Sequence, residues 1–326
     1  MNLSNEMILL AGFVVSVLCM LLIMPPMIDF LHKIKFGQTE RLEGLDSHKV
    51  KNGTPTMGGI AFITVPVILY LILSCFTSIQ VDMNMIIILL AFVGYGLIGF
   101  IDDYIIVVKK DNTGLKPAVK FAMQSVLAIV FYLMYTSHNP TTLWIPIIDV
   151  SFDIGFLYFF LIFFMFTAET NAVNLTDGLD GLCAGQMIIA LIPFLLFSLW
   201  NQENNIATLI VLVIGALIGY LFFNKHPAKI FMGDTGSLAL GGFLAAVAMI
   251  LKQEILLIVI GFVFVIEVLS VMIQVTYYKK THKRIFKMAP LHHHFEKCGW
   301  SETKVVLWFW FAGLIFALLG IFLGVR

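Results

Sequence analysis

Charged residues are scarce in this sequence, and their scarcity excludes an ordinary soluble domain. Lys and Arg number 20, Asp and Glu number 20, and together they make up 12% of the 326 residues. Soluble domains carry roughly a quarter charged residues. Cysteine is also rare, and Cys19, Cys75, Cys183 and Cys298 show no paired spacing. Neither a disulfide framework nor a zinc site is therefore predicted.

The sequence also lacks a signal-peptide pattern and an internal repeat. The first apolar run has no basic flank before it and no small-residue cleavage site, so we interpret it as a membrane span. Without repeated halves, the sequence disfavours a transporter built on internal symmetry.

Long apolar segments are what the sequence has in abundance. Hydrophobic residues make up 60% of the chain. They form runs of about 16 to 22 residues, enough to cross roughly 30 Å of hydrocarbon. We predict an all-α polytopic membrane protein with about ten transmembrane helices, in a single integral membrane domain over residues 1–326. The predicted spans are 6–24, 57–75, 84–101, 118–135, 156–171, 182–199, 206–223, 237–251, 254–275 and 305–325.

The basic residues are distributed asymmetrically between the two sets of loops. The odd-numbered loops and their borders hold 18 of the 20 Lys and Arg residues, and only Lys252 and Arg326 lie on the other side. Because loops rich in Lys and Arg remain in the cytoplasm, the odd-numbered loops are predicted to be cytoplasmic and both termini to lie outside.

The loops on the two sides also differ in content. The outer loops are short or featureless except for 136–155, where Pro140 and Pro146 stand among alternating apolar residues that predict a small external hairpin. The polar, Gly-containing and His-containing segments concentrate in the cytoplasmic loops. Function is therefore expected at the cytoplasmic face.

Two adjacent carboxylates, Asp102 and Asp103, end the third span. A helix C-terminus carries partial negative charge, so this pair calls for a cation, which Lys109, Lys120 or a metal ion would supply. The alternative is a charged boundary that only stops the span, and the pair alone does not decide between the two interpretations.

A glycine-containing acidic segment joins the fifth and sixth spans. Asn174, Asp177 and Asp180 recur every three residues, which would align them on one helix face. Gly178 and Gly181 would instead allow an unwound turn whose backbone amides approach phosphate. A simple polar turn is the less favoured alternative.

The segment 233–237 before the eighth span places an acid, Asp234, between glycines at a helix start. A helix N-terminus favours anions, and Asp is also a preferred capping residue, so both roles stay open. A capping turn alone does not explain why Asn224, Lys229 and Phe231 crowd before it.

Three consecutive histidines, His292, His293 and His294, lie in the long basic ninth loop. Successive residues on a helix or strand cannot all face one ion, and zinc ligands are usually spaced more widely. Phosphate binding or proton handling near neutral pH is therefore preferred to a metal site.

Further polar residues lie just before or within spans. Thr56 belongs to a turn before the second span, with Lys51 available for a phosphate, although a positive-inside anchor is an equal alternative. Glu169 and Glu267 lie inside spans, where carboxylates are usually functional or paired. Hydrogen bonding within the bundle is the alternative for both acids.

All the loop motifs belong to odd-numbered loops and therefore converge on one face. Carboxylates, basic groups and glycine turns together are what a Mg²⁺-dependent phosphoryl transfer requires, because the metal and lysines neutralise a diphosphate and the turns position it. A lipid acceptor would explain why such a site belongs to a membrane bundle.

With these motifs the sequence resembles the phospho-N-acetylmuramoyl-pentapeptide transferase family, in the polyprenyl-phosphate N-acetylhexosamine-1-phosphate transferase superfamily. The resemblance spans nearly the whole chain, and its first and last motifs are more specific to the muramoyl-pentapeptide branch than its acidic motifs. The segments that carry it are HxxKxGTPTMGG at 48–59, the pair Asp102–Asp103, NAVNLTDGLDGL at 171–182, PAKIFMGDTGS at 227–237 and PLHHHFE at 290–296.

The resemblance implies a Mg²⁺-dependent phosphotransferase of the bacterial inner membrane. It would move phospho-MurNAc-pentapeptide from UDP-MurNAc-pentapeptide to undecaprenyl phosphate, giving lipid I and UMP for peptidoglycan biosynthesis. Asp234 would be the main metal ligand, Asp102 would deprotonate or orient the lipid phosphate with Asp103 beside it, and His293 is grouped with these catalytic residues. The resemblance also implies a homodimer in the lipid bilayer, and it implies no nucleic-acid partner. The residues expected to bind substrates are Lys51, Thr56, Lys120, Asn174, Asp177, Asp180, Asn224, Phe231, His292 and His294.

Two other functions compete with this one. A sister enzyme that uses UDP-GlcNAc would share the acidic motifs, and only the histidine loop argues against it. A proton-coupled transporter or flippase would use Glu169 and Glu267, but the polar residues gather on one face and not at the midplane. For the transferase, we prefer a one-step attack of the lipid phosphate on the sugar-linked phosphorus to a route through a covalent phospho-sugar on an aspartate. A lipid phosphate is already largely ionised at pH 7 and needs little activation.

Overall fold

The computed structural model describes residues 4–33, 53–109 and 114–325 of the chain. Within these ranges the chain forms twelve α-helices and one antiparallel two-stranded sheet. In chain order the elements are α1 (Asn5–Lys33), α2 (Gly59–Phe76), α3 (Met83–Lys109), α4 (Pro117–Thr136), β1 (Thr142–Ile145), β2 (Val150–Asp153), α5 (Leu157–Thr176), α6 (Leu182–Trp200), α7 (Asn204–Asn224), α8 (Gly233–Ile250), α9 (Glu254–Ile260), α10 (Phe262–Thr281), α11 (Leu291–Lys297) and α12 (Glu302–Gly324).

Ten helices in the described part of the chain are long and apolar enough to cross a membrane. They are α1 to α8, α10 and α12. An α-helix satisfies its own backbone N–H and C=O groups, which lipid cannot do, so apolar runs of this length are expected to be helical. The predicted all-α polytopic fold with ten spans is confirmed.

Several predicted spans end in the wrong place. The first, predicted at 6–24, and the third, predicted at 84–101, are the longer helices Asn5–Lys33 and Met83–Lys109. The fifth, predicted at 156–171, continues as helix to Thr176, since Ala172, Val173 and Leu175 extend the apolar run past Asn171. The ninth, predicted at 254–275, is two helices divided at Gly261. Only α10 is long enough to span, and α9 is a short helix of 7 residues before it.

Helix α8 is the centre of the bundle. It packs against α2, α3, α5, α6 and α9, and every residue of α8 except Asp234 is buried. Glycines permit the close packing: a Cβ on Gly241 would lie 2.6 Å from Thr170 Cα, and a Cβ on Gly242 would lie 2.5 Å from the Tyr95 ring. The central helix therefore holds one acid at its N-terminal end in a rigid frame.

Helices α1 and α7 approach each other through small residues. Gly219 lies one turn after Gly215, and a Cβ on Gly219 would lie 2.5 Å from Met20 Cβ. The hydroxyl of Ser16 donates a 2.6 Å hydrogen bond to the Leu212 carbonyl across the same contact. This is the small-residue packing that lets membrane helices associate without a hydrophobic driving force.

The hairpin predicted within 136–155 is confirmed as β1 and β2. Thr142 pairs with Asp153, and Ile145 pairs with Val150. The ammonium group of Lys252, in the turn after α8, donates to the carbonyls of Pro140 (2.5 Å) and Thr142 (3.2 Å). The hairpin is thus held against the end of the bundle that is opposite Asp234.

Candidate active site

The polar motifs lie together at one end of the bundle because consecutive long helices run in opposite directions. The N-terminal ends of α2, α4, α6 and α8 meet the C-terminal ends of α3, α5 and α7 at this end. The acids, Lys120 and the short helix α11 that carries the three histidines all belong to it.

Lys120 connects two acids that are distant in sequence. Its ammonium group lies 3.3 Å from Asp102 Oδ2 and also contacts Asp234 Oδ2. The Lys120 side chain is 17% exposed and the Asp234 side chain 25% exposed, so the group is sheltered but open to a ligand. A cation between two carboxylates offsets their mutual repulsion, and the same oxygens can take another cation.

Asn174 fixes the other oxygen of Asp234. Its amide nitrogen donates to Asp234 Oδ1 at 2.7 Å and lies 2.8 Å from the hydroxyl of Ser237, one turn further along α8. Asp234 is thus held from two sides, by an amide from α5 and an ammonium group from α4.

The adjacent acids Asp102 and Asp103 have different surroundings. Asp102 accepts a 2.6 Å hydrogen bond from the backbone N–H of Leu115 and faces Lys120. Asp103 accepts hydrogen bonds from the backbone N–H groups of Asp234 (3.0 Å) and Thr235 (2.9 Å). The Thr235 hydroxyl donates a third, at 2.6 Å.

Asp103 therefore satisfies the first N–H groups of α8, which have no partner within the helix. The sequence left open that Asp234 itself caps α8, and this is wrong: the residue before the helix is Met232, and no side chain of α8 caps it. Asp234 lies in the first turn with its carboxylate directed at Lys120. The catalytic roles expected of Asp102, Asp103 and Asp234 stay predictions.

The turn before α2 packs against the start of α8. The Phe231 N–H donates to the Pro55 carbonyl at 2.8 Å, and the Gly58 N–H donates to the Phe231 carbonyl at 2.9 Å. Thr56 is buried, and its hydroxyl has no hydrogen-bond partner among the described residues. A Cβ on Gly233, whose φ is +70°, would lie 2.7 Å from that hydroxyl. Thr56 therefore belongs to the site, whereas Lys51 lies outside the described residues.

The segment between α5 and α6 is a turn and not a continued helix. Helix α5 ends at Thr176, and Gly181 adopts a φ of +78°. The interpretation that three polar residues share one helix face is therefore wrong, and the unwound turn is confirmed. Asn174 faces Asp234, whereas Asp180 accepts a 3.0 Å hydrogen bond from the backbone N–H of Ala228.

Asn224 joins that turn to the loop before α8. Its side-chain oxygen accepts from the Gly181 N–H at 3.1 Å, and its amide nitrogen donates to the Ile230 carbonyl at 2.9 Å. Both polar ends of this buried side chain thus serve the protein's own backbone. Phe231 is half-buried beside it, and the substrate contacts expected of Asn224, Phe231, Asp177 and Asp180 stay predictions.

The three histidines of α11 face three different partners. The Nδ1 atom of His292 lies 3.1 Å from a carboxylate oxygen of Glu267, and that of His293 lies 2.8 Å from Glu296. The Nδ1 atom of His294 accepts from the backbone N–H of Lys287 at 3.1 Å. This divergence agrees with the argument that consecutive residues do not share one ion.

A second polar cluster includes residues that the sequence did not single out. Asp180, His226 and Glu302 place possible ligand atoms within 4.8 Å of one another, so this group could hold a metal ion. The backbone N–H of Asp180 also donates to Glu302 at 2.7 Å. Glu302 follows Ser301, the N-cap of α12, and in sequence looks like an ordinary helix start. The four cysteines are free in the described chain.

Comparison with known proteins gives consistent matches. Residues 85–252 match the family described as glycosyl transferase family 4, and residues 51–63 match phospho-N-acetylmuramoyl-pentapeptide-transferase signature 1. The chain is 50% identical over 319 residues to the phospho-N-acetylmuramoyl-pentapeptide-transferase of Bacillus subtilis (strain 168), covering 97% of both proteins. The protein of the same name from Bacillus licheniformis is 51% identical over 319 residues, also 97% of each chain. That from Bacillus cereus (strain AH187) is 49% identical over 325 residues, 99% of each.

Proposed function

Because this chain belongs to the phospho-N-acetylmuramoyl-pentapeptide transferase family, we propose that it makes lipid I. In this reaction phospho-MurNAc-pentapeptide passes from UDP-MurNAc-pentapeptide to undecaprenyl phosphate, and UMP is released. The family assignment made from the motifs is confirmed by identity of about half over nearly the whole chain. The enzyme class, a transferase of peptidoglycan synthesis, is confirmed with it.

One observation carries the chemistry: Lys120 and Asn174 converge on Asp234 while Asp102 faces the same ammonium group. We assign the reacting phosphorus to this place. An oxygen of the lipid phosphate forms a bond to the sugar-linked phosphorus, and the bond from that phosphorus to the bridging oxygen breaks. UMP leaves with the electron pair. Lys120 balances the charge of the phosphates, and Asp102 orients the attacking phosphate through Lys120.

The same residues fit Mg²⁺. Asp102 and Asp234 offer carboxylate oxygens, the hard ligands that this ion prefers, and both carboxylates already take a cation in the Lys120 ammonium group. Asp234 would be the main ligand. A bound Mg²⁺ would neutralise the diphosphate and polarise its oxygens.

Charge supports the proposed orientation in a bacterial inner membrane. Lys116, Lys120, Lys225 and Lys229 lie at the end of the bundle that contains the site, whereas Lys252 lies at the other end with the hairpin. The rule that basic loops stay inside then places the site at the cytoplasmic face. A homodimer is carried forward as a prediction, which cross-linking in membranes would test.

The two competing functions are less well supported. Of the two intramembrane acids that a transporter would use, Glu267 is hydrogen-bonded to His292. Glu169 alone of the two keeps a buried carboxylate oxygen without a partner among the described residues. A UDP-GlcNAc enzyme would share the acidic site, but the signature at residues 51–63 and the relatives of about 50% identity belong to the muramoyl-pentapeptide branch.

The decisive assay follows UMP release by the protein purified in detergent with undecaprenyl phosphate and Mg²⁺. UDP-MurNAc-pentapeptide and UDP-GlcNAc are supplied separately. We expect UMP and a lipid-linked product only with the muramoyl donor, loss of both with Asp234→Asn, and normal turnover with Asp153→Asn, a matched change on the exposed hairpin. Turnover with UDP-GlcNAc alone would move the chain to the sister reaction. No turnover by folded protein with either donor would reject the proposed function.

A separate measurement tests the one-step mechanism. Labelled UMP is incubated with UDP-MurNAc-pentapeptide and enzyme in the complete absence of lipid. One-step transfer predicts no exchange of label into the donor. Exchange would require a covalent phospho-sugar enzyme and would overturn the one-step mechanism.

A further inference from the structure

Glu267 of α10 and His292 of α11 form a buried pair. One oxygen of Glu267 accepts the backbone N–H of His292 at 3.2 Å, and the other lies 3.1 Å from His292 Nδ1. Both side chains are at most 1% exposed. A carboxylate that holds both the backbone and the ring of one residue fixes the position and the rotation of that ring.

The second ring nitrogen of His292 is left without a partner. Nε2 is buried and has no hydrogen-bond partner in the described part of the chain. The edge of the ring that carries Nε2 lies against Gly178, in the turn that follows Asp177: an added Cβ would collide with Nε2 itself and would lie 2.9 Å from Cε1. A buried polar atom that the protein leaves unpaired, beside a turn of the site, is a candidate ligand contact.

The pair sets His292 apart from its two neighbours. His294 Nδ1 accepts from a backbone N–H, so its ring proton is on Nε2, and that atom lies 3.7 Å from Cys298 Sγ. His293 Nδ1 faces Glu296 of the same short helix. The partner of His292 comes instead from a long membrane helix, which ties α11 and the Gly178 turn to α10.

We propose that Glu267 is a positioning residue for the transfer reaction: it holds the ring proton of His292 on Nδ1. His292 Nε2 is thereby presented as a hydrogen-bond acceptor for the sugar-nucleotide donor. An acceptor repels phosphate oxygens and binds a hydroxyl or N–H group, so His292 recognises one of these on the donor. This assignment rests on the proposed function and makes the expected substrate contact of His292 specific: it is to a hydroxyl or N–H group of the donor. Glu267 itself touches no substrate.

The substitution Glu267→Gln tests this chemistry because Gln has the same shape and one oxygen fewer. If the amide oxygen keeps the His292 backbone N–H, the amide NH₂ faces Nδ1, and the ring proton moves to Nε2. Nε2 then becomes a donor in place of an acceptor. Glu267→Asp keeps two acceptor oxygens, and His292→Asn keeps the donor to Glu267 but removes the Nε2 acceptor.

We would measure turnover with the donor and the lipid varied in turn, together with ¹⁵N NMR of histidine-labelled enzyme, in which His292→Asn assigns the signal. In wild-type enzyme Nε2 should be unprotonated. Glu267→Gln should protonate it and raise the donor KM by about 10-fold or more, the scale seen when groups that orient an imidazole are lost. The lipid KM should change less than about twofold, in line with a contact made to the donor alone. Glu267→Asp should recover part of the donor KM, and His292→Asn should reproduce the Gln effect.

Two results would overturn the proposal: a wild-type His292 protonated at Nε2, or a donor KM unchanged in both Glu267→Gln and His292→Asn. Glu254→Gln, a buried carboxylate change at the opposite end, serves as the control and should leave both KM values unchanged. If Glu267→Gln fails to fold, His292→Asn and the wild-type spectrum decide. Wild-type enzyme inactive with UDP-MurNAc-pentapeptide would reject the proposed function, while the NMR measurement would still decide the role of Glu267.

Discussion

The backbone N–H of Asp234 donates a 3.0 Å hydrogen bond to Asp103, which joins the start of α8 to the end of α3. Gly99, one turn earlier in α3, allows this approach, because its own Cα faces the backbone of Asp234 and Thr235 with no space for a side chain. Asp103 therefore helps to set the orientation of Asp234 toward Lys120, because it holds the backbone of Asp234.

Asp103→Asn and Asp102→Asn should consequently fail in different ways. In Asp103→Asn an NH₂ group replaces an oxygen that faces N–H donors, which costs about 1–3 kcal/mol and lowers both the Tm and turnover. In Asp102→Asn the amide oxygen still accepts from Leu115, so the Tm should hold while turnover falls. Thermal unfolding in detergent beside UMP release measures both quantities. Equal Tm values for the two variants would contradict the distinction.

Gly178→Ala should be damaging because the new methyl group collides with the His292 ring. Overpacking of this kind costs about 1–3 kcal/mol, and here it also displaces a turn of the site. His292→Ala alone should also lower the Tm, because it leaves buried Glu267 without the ring it holds. The double variant should therefore lose less stability than the sum of the two single losses, since the collision is relieved, and it should not recover turnover. A double loss equal to that sum would show that the clash is not the cause.

Gly219→Val should loosen α1 from α7. Its side chain would meet Met20 and the Val17 carbonyl, the latter at 3.0 Å from the Cβ, so we expect a loss of about 1–3 kcal/mol. Gly12→Ala is the matched control in the same interface, because its Cβ meets only the mobile ends of Leu side chains, at 3.3 Å or more. The Tm values of the two purified variants measure the difference, and similar losses for both would refute this account.

Glu254→Gln should change how stability depends on pH. Burial raises the pKa of Glu254 above its ordinary value of 4.5, so the folded protein keeps a proton that the unfolded chain releases. The contribution of this group to stability is therefore fully present below pH 4.5 and is lost as the pH rises through the raised pKa. Gln keeps the oxygen that accepts from Tyr158 and carries no charge, so the Tm of the variant should fall less over this range. Parallel Tm curves for variant and wild type would contradict this.

The number of spans and the hairpin were predictable because their signals are local. An apolar run of about 20 residues must become a helix in lipid whatever surrounds it. Alternating apolar residues with Pro140 and Pro146 likewise predicted a hairpin within 136–155, and its strands lie at 142–145 and 150–153. The break at Gly261 was missed, because both sides of it are equally apolar and hydropathy does not register a change in helix direction.

The membership of the site was partly predictable, and its contacts were not. Span parity alone placed Asp102, Lys120, Asn174 and Asp234 on one face. The contact between Lys120 and Asp234 joins residues 114 positions apart, and nothing in the sequence near either residue specifies it. Glu302 gave no signal, since an acid in the first turn of a helix is common for reasons of capping and dipole alone.

The membrane class, the ten spans, their alternation and the family could be read from the residues alone, because hydrophobicity and motif composition are properties of short segments. Only the folded chain showed that Asp103 accepts hydrogen bonds from the start of α8 while Asp102 faces Lys120. The same holds for the pair of Glu267 and His292. These pairings depend on the rotation and depth of each helix in the bundle. Rotation and depth are set by close packing at residues such as Gly99 and Gly178, which only the folded chain brings against their neighbours.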